Sequence, residues 1–511
     1  MMFGTLRGGL RLGVARLVVA GLAGALLCGC SLAPKYAPPK PVAVAAFKES
    51  GGWMPAVPAE SAPRGAWWEA FGEPTLNDLE KQLPHRNPDL RAAVARFEQA
   101  RALAREARSN VYPTLDAQAS ATRGKASAQA PLAAALGASP ATQNDFVAGL
   151  DLHWEIDLFG RLRNTAAAAG AEAQASAADL AAVELSLQAE LATDYFSLRG
   201  ADSAIQLLED TLTTYDRAYQ LTSNRYKEGI SAAADVDQAD TQRQNARAQL
   251  AAVRLERAQL EHAVAVLLGQ VPSLFSLESG SLAAAPPPID AGLPSTLLLH
   301  RPDVGSAERA VAAANSRIGV ARAAWFPVFT LGGTAGYEST LSSGWFRAPN
   351  RFWSVGPTAQ APLLDAGGRA AMNQHARAAY EEAVANYRKT TLTAYREVED
   401  NLAGLHHLAD ELRADEAAAA SAKSSAYHAD QRYNAGVADY VEVTTTHTAA
   451  LQAQRDSITV RVAQLNAAVI LVRATGGGWS QTQLDKPTDL QLCARGGGSN
   501  CALRSDSPAM P

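Results

Sequence analysis

Residues 146 to 170 read FVAGLDLHWEIDLFGRLRNTAAAAG and change character at one point. From 150 to 158 every second residue is apolar (Leu150, Leu152, Trp154, Ile156, Leu158), and Asp151, His153, Glu155 and Asp157 lie between them. Side chains alternate across a strand, so this is a strand with one apolar and one charged face. After Gly160 the alternation stops, and an alanine-rich stretch runs to residue 271 without a proline. A strand that leads straight into so long a helix defines a mixed α and β chain, and a globular domain has little use for such a helix.

Upstream, Leu115, Ala117, Ala119 and Ala121 alternate with Asp116, Gln118, Ser120 and Thr122, which completes a β-hairpin over 114 to 158. A helix over 88 to 110 precedes it and ends before Pro113, because proline restricts the residue before it. The pattern is written twice. Asn87-Pro88-Asp89-Leu90, Val111-Tyr112-Pro113, Asp157-Leu158-Phe159-Gly160-Arg161 and Arg225-Tyr226-Lys227-Glu228-Gly229 recur in the same order about 210 residues later. The copies are Arg301-Pro302-Asp303-Val304, Trp325-Phe326-Pro327, Asp365-Ala366-Gly367-Gly368-Arg369 and Arg432-Tyr433-Asn434-Ala435-Gly436. A second hairpin spans 328 to 364, with Phe329, Leu331, Gly333, Ala335 and Tyr337 on one face and Thr330, Thr334 and Glu338 on the other. The duplicated units are residues 72–271 and 295–475, joined by a Pro-rich linker at 272–294 and followed by a Gly-rich tail at 476–511.

Gly229 and Gly436, each soon after an Arg-Tyr pair, read as helix-ending residues of a turn. Each then closes a helix of roughly 65 residues, about 100 Å long at 1.5 Å per residue. Ile205, Leu208, Leu212, Tyr215, Tyr219, Thr222 and Tyr226 step by three and four, the spacing of packed helices.

The amino terminus fixes the compartment. Arg7, Arg11 and Arg16 precede an apolar run too short to span a bilayer, so residues 1–29 read as a signal peptide. Leu27-Cys28-Gly29-Cys30-Ser31 resembles the bacterial lipobox, with Cys30 as the lipid-modified residue and Ser31 favouring the outer membrane. Removing the signal takes away three arginines and no acid, and moves the net charge from -5 to -8. Such a chain lacks the basic field of a nucleic-acid binder. Cys493 and Cys501 either close a small disulfide loop in the oxidising periplasm or stay as two free thiols. The lead-in, residues 30–71, and the linker are expected on the outside of the helices, in an equatorial region.

The strands' second face is acidic or hydroxylic, and Tyr112, Phe159, Trp325, Phe326, Phe352 and Trp353 gather at strand ends. That suits lipid outside, water inside and an aromatic girdle at the interface. Four strands leave open edges, which hydrocarbon does not tolerate, so the barrel must be shared between chains. Three chains give twelve strands and a water-filled lumen. Two units per chain would then surround it with a pseudo-sixfold ring of helices.

A resemblance now covers nearly the whole chain. Cys30-Ser31-Leu32-Ala33-Pro34-Lys35-Tyr36, Leu299-His300-Arg301-Pro302-Asp303-Val304 with Ala307-Glu308, and Tyr395-Arg396-Glu397-Val398-Glu399-Asp400 are similar to signatures of the NodT branch of the TolC-like family, the OprM-type outer membrane efflux lipoproteins. The resemblance implies a TolC-like fold: a homotrimer with a twelve-stranded transmembrane β-barrel, four strands per chain, continued by a periplasmic α-helical barrel. It implies a passive exit duct for drugs and toxic compounds. The implied partners are a periplasmic adaptor and an inner-membrane pump of the resistance-nodulation-division class. A duct for type I protein secretion is the alternative. A lipid-anchored periplasmic coiled-coil adaptor would leave the four strands unexplained.

In that family the helical tips converge into a constriction and receive the adaptor; the matching positions are residues 225 to 237 and 432 to 443. Tyr226, Asp235, Asp439 and Glu442 would line the constriction, where threefold symmetry makes each axial acid a cation-favouring ring. Asp235 and Asp439 fit a helix cap equally well, and Glu442 and Asp237 fit a solvated helix face. Gly229, Ile230, Ser231, Gly436, Val437 and Ala438 match the adaptor contact, or are simply turn residues. A basic residue that restrains the closed tip in TolC-type channels aligns with Ala438 and is therefore missing, and Thr444-Thr445-Thr446-His447 replaces the usual Leu-[Asp/Thr]-Ala-Gln. Arg301-Pro302-Asp303 reads as structural, proline suiting a first helical turn and aspartate its positive end.

No enzyme, metal or cofactor is expected. The nine histidines are scattered, and the adjacent His406 and His407 point about 100° apart on a helix, which argues against a shared metal. His-Glu-x-x-His, Gly-x-Ser-x-Gly and a phosphate-binding Gly-Lys-Ser/Thr loop do not occur.

Overall fold

The computed structural model describes residues 31–40, 44, 46–50, 66–125, 127, 142–282, 285–288 and 300–480. The signal peptide, Cys30, Cys493 and Cys501 lie outside the described residues. In chain order the elements are α1 (Pro74–Arg86), α2 (Pro88–Ser109), β1 (Thr114–Lys125), β2 (Thr142–Ile156), α3 (Arg161–Lys227), α4 (Ala233–Leu267), α5 (Pro302–Ala323), β3 (Val328–Ser339), β4 (Arg351–Gln360), α6 (Gly368–Asn434) and α7 (Tyr440–Ala474). The two halves match in length: 22 residues for α2 and α5, 67 for α3 and α6, and 35 for α4 and α7. The chain divides into two units.

The first unit comprises Glu98–Ala175, Glu308–Asn386 and the N-terminal stretch to Pro39. It carries one antiparallel sheet in the order β1-β2-β3-β4. Register aligns like with like across all four strands. Leu115, Leu152, Gly333 and Val355 form one row, and Ala117, Leu150, Ala335 and Trp353 another; Asp116, Asp151, Thr334 and Ser354 form a row on the opposite face. Hydroxyls bond along the polar face, with Thr334 and Ser354 oxygens 2.8 Å apart. Gly149 faces Gly336 because a side chain would not fit: a Cβ on Gly336 would lie 2.4 Å from the Ala148 carbonyl oxygen. The ring of Phe352 lies beside the glycine pair and supplies the packing that it lacks. Among the described residues β1 and β4 are each paired on one side only, and Pro357 sits in β4, an edge position that tolerates it.

The two hairpins join in that one sheet, β2 pairing with β3 from Phe146↔Ser339 to Ile156↔Phe329, and the bounds of β2 differ from those read in the sequence. The strand β2 begins at Thr142, before the alternating run, because β1 pairs with it as far as Lys125↔Thr142. It also ends at Ile156, so Asp157 leaves the charged face: its Oδ2 accepts the backbone N–H of Arg163 at 2.8 Å and caps α3. Asp365 does the same for α6 through the N–H of Arg369 at 3.0 Å. A capping aspartate thus turns strand into helix at both junctions, where Phe159 stacks on Phe326 at 4.4 Å.

The second unit comprises Lys40–Phe97, Ser176–Ala307 and the chain from Tyr387 onward. Its helices pack through Leu208, Leu250, Val253 and Leu451. Helix α7 is apolar enough to cross a membrane by composition, but Leu465, Val469 and Leu471 are fully buried in this packing. The lead-in packs against the helices: Trp67, Trp68 and Phe71 are buried, with Phe71 5.2 Å from Phe196 and the indole N–H of Trp67 donating to Gln188. Aromatics of this size contribute most when removed from water, and the open wall of a helical hairpin supplies the place. The tail also begins ordered, Trp479 lying against Gly305. Pro302 and Asp303 open α5 as read from the sequence, while buried Arg301 bonds Glu397 at 2.8 Å and the last carbonyl of α7, Ala474, at 3.0 Å.

Glu80 on α1 is fully buried, and neither carboxyl oxygen has a partner among the described residues. Burial pushes its pKa up to about 9. Between the usual carboxylate range and that value the folded chain holds a proton that the unfolded chain has lost, so stability falls as pH rises. Glu80→Gln should therefore stabilise the protein by on the order of 3 kcal/mol per chain at pH 7. Thermal unfolding across this range checks it: the variant should show a flatter decline toward alkaline pH, and an unchanged slope would exclude the buried acid.

Candidate functional site

Two helical turns close the hairpins of the second unit, and they have the same geometry. After α3, Gly229 takes φ +73°; its N–H bonds the Tyr226 carbonyl at 2.9 Å, and that of Ile230 bonds Arg225 at 2.8 Å. After α6, Gly436 takes φ +76°, with N–H bonds from Gly436 to Tyr433 and Val437 to Arg432, both 3.0 Å. These paired bonds satisfy the last carbonyls of a helix, and the left-handed residue favours glycine. Ile230 and Val437, just past each glycine, are 69% and 66% exposed, so each turn presents an apolar tip to its surroundings.

Behind the turns the two hairpins are knitted together. Tyr433 and Tyr440 meet edge-on at 5.4 Å in a cluster with Ala239, Ala429 and Val443. The Arg225 guanidinium lies over the Tyr433 ring at 4.8 Å, and Gln238 donates to the Thr444 hydroxyl at 3.0 Å. Burial, then the nearby Tyr433, Tyr215, Asp430 and Asp235, pushes the Tyr440 hydroxyl up to about 12, so it stays protonated.

The acids singled out from the sequence take different positions. Asp235 accepts the N–H of Ala232 at 3.3 Å, the reach-back bond at the start of α4. Asp439 occupies the residue before α7 but makes no side-chain cap. Glu442 is not a free solvated acid, since it accepts from Arg432 at 2.8 Å across the turn. Tyr226 is half exposed, whereas its counterpart Tyr433 is buried. Sequence reasoning missed the polar links: Arg225, Arg432, and above all His447, whose Nε2 lies 2.9 Å from Asp430. The departure from the family pattern at 444 to 447 was the available signal for this last pair.

An amphipathic four-stranded sheet continuous with helical hairpins 67 and 35 residues long defines a membrane channel protein of the efflux type. The chain belongs to the outer membrane efflux protein family, whose sequence model matches residues 79–270 and 293–477. It is similar to the solvent efflux pump outer membrane protein SrpC of Pseudomonas putida, 33% identical over 463 residues that cover 90% of this chain and 97% of SrpC. It is 30% identical to the cation efflux system protein CusC of Escherichia coli over 459 residues, 89% of this chain and 97% of CusC. Among solved structures, the outer-membrane channel OprN superposes with a TM-score of 0.82 at 31% identity, covering 88% of this chain and all of OprN. The fold also matches the CmeC channel of Campylobacter jejuni, with a TM-score of 0.81 over 93% of this chain and 99% of that one. The protein is an outer membrane efflux channel that extends into the periplasm.

Proposed function

We propose that three copies close a twelve-stranded transmembrane barrel, continued by a periplasmic helical tube whose pseudo-sixfold wall comes from a duplicated unit. The tube is a passive exit duct for small molecules, driven by a resistance-nodulation-division pump through a periplasmic adaptor. The sheet carries this reading: its rows are apolar on one face and polar on the other across all four strands, while among the described residues β1 and β4 keep one unpaired edge each. Unpaired backbone edges do not persist in hydrocarbon. Asp116 beside Asp151 on the polar face favours a wet, cation-accepting lumen over a packed core. Solvent efflux, for which SrpC is named, makes small organic molecules the first cargo to test.

Lipidation at Cys30 fits the path of the residues that follow it. Arg322, Asn315 and Glu308 stand two turns apart on α5 and hold the carbonyls of Leu32 and Pro34 and the Tyr36 hydroxyl, while Ser31 bonds Asn164 near the start of α3. This strap begins at Ser31, beside the helix ends that lead into β3 and out of β2, where a lipid anchor on the preceding residue would reach the membrane. Gly229, Ile230, Ser231, Gly436, Val437 and Ala438 are the adaptor contact, supported by the exposed apolar tips. Asp235, Asp439, Glu442 and Tyr226 line the constriction, held by the links to Tyr433 and Thr444 in place of the missing basic lock.

Reconstitution in a planar bilayer tests the duct. The purified protein should give discrete, cation-preferring conductance, and Asp235→Ala with Asp439→Ala should raise it and weaken the ion preference. A preparation without conductance would overturn the duct; a double variant identical to the parent would reduce both acids to helix-start residues.

A further inference from the structure

We propose that His406, His407 and Asp410 form a binding site for a divalent transition-metal ion on the exposed face of α6. Leu402 and Leu405 are buried, and Gly404 faces Ala467 of α7, so this stretch of helix turns its other side outward. Asp410 follows His406 by one helical turn and shares its face. His407 is the next residue, and the angle between neighbours does not keep it away: its ring meets that of His406 edge-on with centroids 5.2 Å apart. One ligand atom from each of the three residues lies within 4.8 Å of the others. Backbone direction sets where a side chain starts, and an imidazole has two torsions with which to converge, so the 100° between neighbours does not by itself keep the two rings from one ion.

Two imidazoles and a carboxylate are the donor set of zinc, nickel or copper, whereas calcium and magnesium favour oxygen alone. Zinc holds nitrogen at about 2.0–2.1 Å, so bound donors stand roughly 3.3 Å apart. Exposed side chains close that difference by rotation. Competitors are weak: His406 Nε2 stands 4.0 Å from Asp410, and Arg413 pairs with Asp410 from a side chain that is 76% exposed. All three ligands come from little more than one turn of one helix, so no neighbouring chain has to contribute a ligand.

Tag-free full-length protein in detergent, titrated with zinc by calorimetry and with copper by electron paramagnetic resonance, provides the test. The expected result is about one ion per chain and a copper spectrum with two nitrogen ligands. His406→Gln with His407→Gln should weaken binding at least about tenfold, and Asp410→Asn should weaken it as well. Absence of saturable binding, or unchanged affinity and stoichiometry in the double variant, would overturn the site. If the double variant fails to assemble, Asp410→Asn decides by the same titration, and unchanged affinity there overturns the site equally.

Discussion

Ala119→Pro and Ser120→Pro, made separately in β1, should each reduce the heat-modifiable oligomer in outer-membrane fractions by at least about tenfold, because a backbone group left unpaired in hydrocarbon costs several kcal/mol. Successive residues of a strand direct their N–H groups to opposite sides. One of the two prolines therefore removes a bond to β2, with which Ala119 and Ser120 pair at Ala148 and Val147. The other removes a group on the side where the described chain offers no partner. A genuinely free edge would tolerate that second proline, as edge strands do. In a closed barrel each proline removes a ladder bond, a loss that β4 already carries once at Pro357. Survival, as a stable oligomer, of the variant whose proline faces away from β2 would show that no neighbouring chain covers β1.

Asp202→Ala should cost about 3–5 kcal/mol per chain, the penalty for removing one partner of a buried ion pair. The Asp202 side chain is 3% exposed and serves two guanidinium groups, Arg257 at 2.7 Å and Arg199 at 3.1 Å, and also accepts the N–H of Gly280 at 3.0 Å. Those arginines in turn hold the linker: Arg199 donates to the Glu278 carbonyl at 2.6 Å and Arg257 to that of Leu277 at 2.7 Å. Without the carboxylate, buried Arg199 loses its ion pair, Arg257 is left with Glu261 at 3.2 Å, and the linker's anchor is weakened. A melting midpoint roughly 3–5 °C lower and new protease cleavage near residues 277 to 282 are expected, with exposed Asp210→Ala as a near-neutral control. Wild-type melting and protection in Asp202→Ala would show that the linker is held by something else.

The strand faces, the helix-ending glycines and the uninterrupted helices were legible in the residues alone, because each depends on local backbone geometry. The pleat sends neighbouring side chains to opposite sides, so the alternation at 150 to 156 fixes which residues share a face wherever the strand is placed. A left-handed turn selects glycine, so Gly229 and Gly436 mark the tips. The resemblance carried the family, since the motifs at 299 to 304 and 395 to 400 sit where buried Arg301 meets Glu397.

Tertiary structure decided what depends on partners distant in sequence. Ile156 pairs with Phe329, and that join makes one sheet from two hairpins; no local pattern distinguishes a strand with one neighbour from a strand with two. Burial of Trp67, Trp68 and Phe71, isolation of Glu80, and the links from Arg225 to Tyr433 and from His447 to Asp430 arise in the same way. Each requires a residue on one long helix to arrive at the height of another. Helical period sets the side on which a side chain emerges, but the axial register of one helix against its neighbour is set only when all of them pack together.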